Sequence, residues 1–241
     1  MSLNPLATVT NYQEMLRRIA FFTFIAGIVA VKLLRMNSAT INTLLSQLDS
    51  DVDLPYLGKL KVLGYVLPAG AIALAFYTLR VHDRLSDVFR IRYLFDTRRI
   101  IRPFAIATGL DGDQIKQLYT HRNELMQDLF YKYASSKSPQ IDTHNIHEAL
   151  DNWTWVWVVL ESWFLFFCTG VALLFITSWW VGSITIVVAS LIGLVFCPFF
   201  ISQCRKYAKL QVDEILSDSE RKKIIQKKLK QAIIQKGLNA L

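Results

Sequence analysis

Four apolar stretches, residues 19–36, 62–79, 156–179 and 184–201, are each close to the length that crosses a hydrocarbon core. Such a core, roughly 30 Å thick, needs about 20 helical residues, within a range of about 17 to 25. Inside it every backbone amide must bond within its own helix, because no water is there to replace the bond. The stretches therefore commit the chain to membrane-spanning helices before any other feature is weighed. Arg17 and Arg18 before the first stretch resemble the start of a cleaved leader. The long polar lead-in, the lack of a small-residue cleavage motif, and Lys32 and Arg35 at the far end favour a retained span.

The side of the membrane follows from the basic residues, since short loops rich in lysine and arginine stay cytoplasmic. Residues 37–60 set Asp49, Asp51 and Asp53 against Lys59 alone, whereas residues 80–152 carry Arg80, Arg84, Arg90, Arg92, Arg98, Arg99, Arg102, Lys116, Arg122, Lys132 and Lys137. Arg205, Lys206, Lys209 and further lysines follow the last stretch. Both termini and the central region are expected inside, and the acidic loop outside. Trp153, Trp155 and Trp157 mark the inner end of span three, with Trp179 and Trp180 at its outer end before the turn SWWVGS. The formal charge of +8 then belongs to surfaces facing anionic lipid, and direct nucleic-acid binding is not expected.

The expected fold is all-α: four transmembrane helices, a helical cytoplasmic domain inserted between spans two and three, and a C-terminal amphipathic helix. Residues 1–79 form the first transmembrane pair with its acidic external loop, 80–152 the cytoplasmic domain, 153–203 the second transmembrane hairpin, and 204–241 the basic C-terminal helices. In the inserted domain, Asp113 after the turn LDGD can cap a helix whose apolar stripe is Ile115, Leu118, Tyr119, Leu125, Met126, Leu129, Phe130 and Tyr133. Asp142 or Thr143 can start a further helix, HNIHEALDNW, that runs into span three. Gly64, Pro68 and Gly70 in span two suit close helix packing or a kink.

At the C-terminus, Ser217 and Glu220 have capping-box spacing, and the helix is expected to stop at Gly237. Ile225, Leu229, Ala232 and Ile233 form its apolar face, and Lys222, Lys223, Lys227 and Lys230 surround it. A basic amphipathic helix of this kind lies on anionic lipid or packs against a neighbouring subunit.

Little here suggests catalysis. His144 and His147 lie three apart with Glu148 beside them, but the four-residue spacing of a zincin is absent, and no catalytic or metal site is assigned. There is no phosphate-cradling glycine loop and no nucleophile elbow. Cys168, Cys197 and Cys204 show no paired spacing, so no disulfide framework is implied, and Cys204 reads as a small residue at a helix end or a lipidation site. No cofactor is expected.

The binding candidates are charged. Glu161, in VVLESWFLFF, is an intramembrane or interfacial acid, and such groups face a partner or a water-filled cavity. RIRYLFDTRRIIR, residues 90–102, carries five arginines and no lysine. On a single helical wheel over 81–95, Val81, Leu85, Val88, Phe89 and Phe95 form one stripe, Arg90 falls opposite it, and Arg92 falls within it. Arg92 is therefore expected to meet an acidic side chain or a neighbouring subunit. Arg98, Arg99 and Arg102 stay open between headgroup contact and grip on a phosphate or carboxylate.

Four short spans hardly enclose a pathway alone, so a homo-oligomer is expected. In organisation the chain resembles the small multi-span membrane components of bacterial antiphage defence systems, such as the Kiwa membrane protein or the pore-type effectors. The resemblance covers the topology and no single residue. It implies an inner-membrane sensor or effector that relays a cytoplasmic signal or recruits a soluble partner, with a transporter or ion-channel subunit as the alternative.

Overall fold

The computed structural model describes residues 6–54, 58–62, 64–177 and 179–239, and the chain divides into two compact units. The first is built mainly of Gln13–Asp83 and Thr154–Phe200, the second of Arg84–Trp153 and the residues from Ile201 onward, with Thr8–Tyr12.

The first unit holds α1 (Tyr12–Asn37), α2 (Ala39–Ser46), a hairpin of β1 (Ser50–Leu54) and β2 (Gly58–Val62), α3 (Val66–Thr78) and the apolar parts of two long helices, α9 (Thr143–Ile176) and α10 (Trp179–Ser217). Among the described residues, α1, α9 and α10 are long and apolar enough to cross a membrane. At 1.5 Å per residue they run about 39, 51 and 58 Å. Their packing follows from small residues. Ala26 and Ala30 of α1 and Leu165 of α9 form a buried cluster, covered by Ile72 and Phe76 of α3. A Cβ on Gly27 would stand 3.3 Å from Ala69, so α1 and α3 cross closely. Near the α9–α10 turn the backbones meet at two glycines, where a Cβ on Gly182 would stand 2.7 Å from the Gly170 carbonyl. The rest of α10 presents Val187, Leu191, Leu194 and Phe199 outward.

Three expectations change here. The all-helical reading holds apart from one short antiparallel hairpin, where DVDL and KLKV alternate with period two. Its register sets Asp51 opposite Lys61 and Asp53 opposite Lys59. That hairpin takes Val62, so the helix expected over 62–79 begins only at Val66. At 13 residues, about 20 Å, it is shorter than a hydrocarbon core. The turn expected at SWWVGS is also tighter: α9 ends at Ile176 and α10 starts at Trp179. Gly64 acts in packing, since a Cβ there would overlap the Leu45 carbonyl, and its N–H donates to Asp49. Asp49 also accepts both terminal nitrogens of Arg35, at 3.0 and 2.9 Å, which ties the end of α1 to this turn.

α4 (Val81–Val88) passes into the second unit at Arg84, and α5 (Ile91–Phe95), a π-helical segment, Asp96–Ile101, and α6 (Arg102–Ala107) follow. Then come α7 (Gly112–Leu118), α8 (Arg122–Leu125) and a second π-helical segment, Met126–Tyr131. The start of α9, the end of α10 and α11 (Ser219–Asn239) complete it. Its core contains nearly the whole expected stripe: Ile115, Leu118, Leu125, Met126, Leu129, Phe130 and Tyr133 are buried. The cap is Asp111 rather than Asp113. Its carboxylate accepts from Asp113 and Gln114, and the Gln114 side chain bonds back to the Asp111 N–H, a complete capping box. Asp142 accepts from the His144 N–H where α9 begins.

The wheel over 81–95 fails because the helix is not continuous. Arg90 adopts φ 52°, in the left-handed region, and separates α4 from α5. Leu85 and Phe95 are buried as expected, but Val88 and Phe89 are exposed. At the C-terminus Asp218, not Ser217, caps α11 by accepting from Glu220 and Arg221, and the helix continues past Gly237 to Asn239. Ile225 and Leu229 are fully buried, and α11 packs on α6 and α7. Half of the expected apolar face is thus covered within the chain, whereas Ala232 and Ile233 stay half-buried.

Candidate functional site

The first unit buries few polar side chains, and three of them meet. Thr23 of α1, His82 of α4 and Glu161 of α9 are each 1% exposed. After α3, Arg80 takes a left-handed conformation, φ 47°, and reverses the chain so that α4 opens with amides no helical carbonyl can reach. The His82 N–H is one of these and donates to Glu161 Oε1 at 3.0 Å. His82 Nδ1 lies 3.2 Å from the same oxygen, and Thr23 Oγ1 donates to Oε2 at 2.7 Å.

A carboxylate out of water costs several kcal/mol unless its lone pairs are satisfied. Placing the imidazole proton on Nδ1 gives Glu161 three donors spread over both oxygens, from helix start, ring and hydroxyl. Nε2 then carries a lone pair in the neutral ring and a proton in the charged one. This atom has no hydrogen-bond partner among the described residues and lies 3.7 Å from Asp83 Oδ2. Trp157, 2% exposed, flanks the imidazole with ring centroids 6.2 Å apart and helps keep water out.

The second unit buries an acid differently. Asp96, at the start of the first π-helical segment, is 5% exposed. Burial pushes its carboxyl up to about 6, against the opposing pull of Arg122 and Arg92. Arg122 Nη1 lies 3.7 Å from Asp96 Oδ2. Arg92 is half-buried and acts on this acid one turn along, while its N–H donates to Ser86 Oγ at 3.3 Å. Arg98, Arg99 and Arg102 are all exposed. So are Lys222, Lys223, Lys227 and Lys230 of α11, of which Lys223 pairs with Glu220 at 3.0 Å. Among the described residues no cluster of three histidine, cysteine, aspartate or glutamate side chains could hold a metal ion.

Sequence reasoning singled out Glu161 but missed its partners. A signal was present: His82 follows the second apolar stretch directly, at the same end of the spans as Glu161. Thr23 carried none, being one hydroxyl in an apolar run. A family model, described as the YmfE protein family, matches residues 11–228. That range includes Thr23, His82, Asp96 and Glu161. Comparison with curated proteins and with solved structures gives no match.

Proposed function

Because the chain belongs to the YmfE protein family over a range that takes in both units, we propose that the two act together. In this reading the protein is a homo-oligomeric inner-membrane relay: the helical unit receives a cytoplasmic signal or soluble partner, and the membrane unit responds. The observation that carries this is the Thr23–His82–Glu161 cluster. Two of its three side chains sit on the segments by which the chain passes between units, His82 just before the boundary after Asp83 and Glu161 on α9. A shift of α4 or α9 changes the donors around a buried carboxylate, which converts a small movement into a change of charge balance inside the membrane.

In the same reading α3 is a short fourth crossing against α1, and bilayer thinning accommodates its length. It returns residues 80–152 to the cytoplasmic side, so that both basic regions and both termini lie inside. A pathway walled by these few helices needs more than one copy. The likeness in organisation to antiphage membrane components supports defence against infection as the setting. The alternative is a transporter or ion-channel subunit, favoured by a buried acid, Glu161, bonded to His82 among apolar helices.

Reconstitution distinguishes the two readings. The relay reading expects an oligomer that co-purifies with a soluble partner and shows no steady proton flux in proteoliposomes carrying a pH dye. The transporter reading expects gradient-driven flux that Glu161→Gln abolishes. A strict monomer without a partner overturns the relay.

A further inference from the structure

We propose that the second unit binds a small organic phosphate in an open cavity between α4, α5 and the Tyr119–Asn123 segment. The cavity holds about 520 Å³ and is lined by Asp87, Arg90, Tyr93, Tyr119, Thr120, Arg122 and Asn123. That volume lies within the range of small-molecule sites, about 300 to 1,000 Å³.

Two guanidinium groups are held here in different ways. Arg122 is fixed: Nε and Nη2 both donate to Asn123 Oδ1, at 3.1 and 2.6 Å, and the guanidinium lies 5.8 Å from the Tyr93 ring centroid. Arg90 is exposed and has no side-chain partner among the described residues, and it occupies a left-handed backbone position that disfavours every residue with a side chain. A glycine would sit there with less strain, yet an arginine stands at the cavity wall. The lining offers one carboxylate, Asp87, and Arg122 also faces Asp96 at 3.7 Å, so Arg90 is the guanidinium left to meet a ligand.

The chemistry selects the ligand. Guanidinium groups suit phosphate oxygens, whereas the Thr120 hydroxyl already donates to the Gln117 carbonyl at 2.8 Å and offers only an acceptor. Inorganic phosphate alone would leave most of the space to water. The Tyr93 and Tyr119 rings offer apolar walls for a larger body, and Asp87 can accept from its hydroxyl or amino groups. A soluble phosphorylated molecule and a phosphorylated lipid headgroup share this chemistry. The exposed Arg98, Arg99 and Arg102 do not line the cavity.

The test uses the full chain in detergent micelles, titrated calorimetrically with adenosine monophosphate and with inositol trisphosphate. In parallel, its binding is measured to vesicles with and without phosphatidylinositol 4-phosphate. Arg90→Gln should weaken whichever probe binds at least tenfold while leaving the ligand-free melting temperature unchanged. The triple change Arg98→Gln, Arg99→Gln, Arg102→Gln should alter it less than twofold. Binding of the free compounds alone assigns a soluble source, and preference for the doped vesicles assigns the headgroup. The proposal is overturned if no probe binds, or if the triple change weakens binding as much as Arg90→Gln does.

Discussion

Glu161 and Asp96 are both buried carboxyl groups, but the two units stabilise them by different means. Glu161 receives three aimed donors within 3.2 Å and, among the described residues, no guanidinium. Asp96 has two arginines acting on it, the nearer with Nη1 at 3.7 Å, and burial still pushes its carboxyl up to about 6. At Asp96 a guanidinium beyond bonding distance does not replace the lost hydration of a carboxylate.

The comparison breaks most decisively at Glu161. Glu161→Ala leaves the His82 amide and imidazole and the Thr23 hydroxyl buried without their acceptor, and should cost about 3–5 kcal/mol, the range for breaking a buried pair. Chemical unfolding of the micellar protein measures it, and a loss below about 1 kcal/mol would show that water reaches the cluster.

Asp96 comes next, and its effect depends on pH. The folded state holds the proton up to about pH 6, whereas the unfolded carboxyl releases it near 3.8, so the stabilisation is fully present below about pH 4 and is lost as pH rises through 6. A shift of this size corresponds to roughly 3 kcal/mol. Asp96→Asn should flatten the stability curve between pH 4 and 7, and an unchanged slope would assign the pH dependence to other groups.

Thr23→Val removes one donor of three while keeping shape. About 1 kcal/mol of destabilisation is expected, and an effect as large as that of Glu161→Ala would mean that the hydroxyl, not the helix start, organises the site. The smallest effect belongs to the half-exposed pair of Lys228 and Asp128, at 2.7 Å. Lys228→Ala should change stability by less than about 1 kcal/mol and less still in high salt.

What the sequence made readable follows from how each feature is encoded. The three long apolar helices were legible because their hydropathy is high and unbroken, and the Ile115–Tyr133 stripe because burial there is periodic. The hairpin was overlooked although DVDL and KLKV alternate, because an acidic segment between two apolar stretches reads as a loop. The break at Arg90 could not be seen, since no glycine, proline or asparagine marks the left-handed residue. Glu161 stood out as a charge in an apolar run, but its partners come from α1 and α4, 138 and 79 residues away, where no local pattern points back to it.

The glycine contact between α9 and α10 bears on how the chain enters a bilayer at all. With α9 ending at Ile176 and α10 starting at Trp179, the connection is too short for one helix to wait in the membrane while the other stays in water. In the proposed membrane reading the two helices therefore enter as a hairpin, with Gly170 facing Gly182. A side chain at either position would force the two helices apart at the turn where they must meet first.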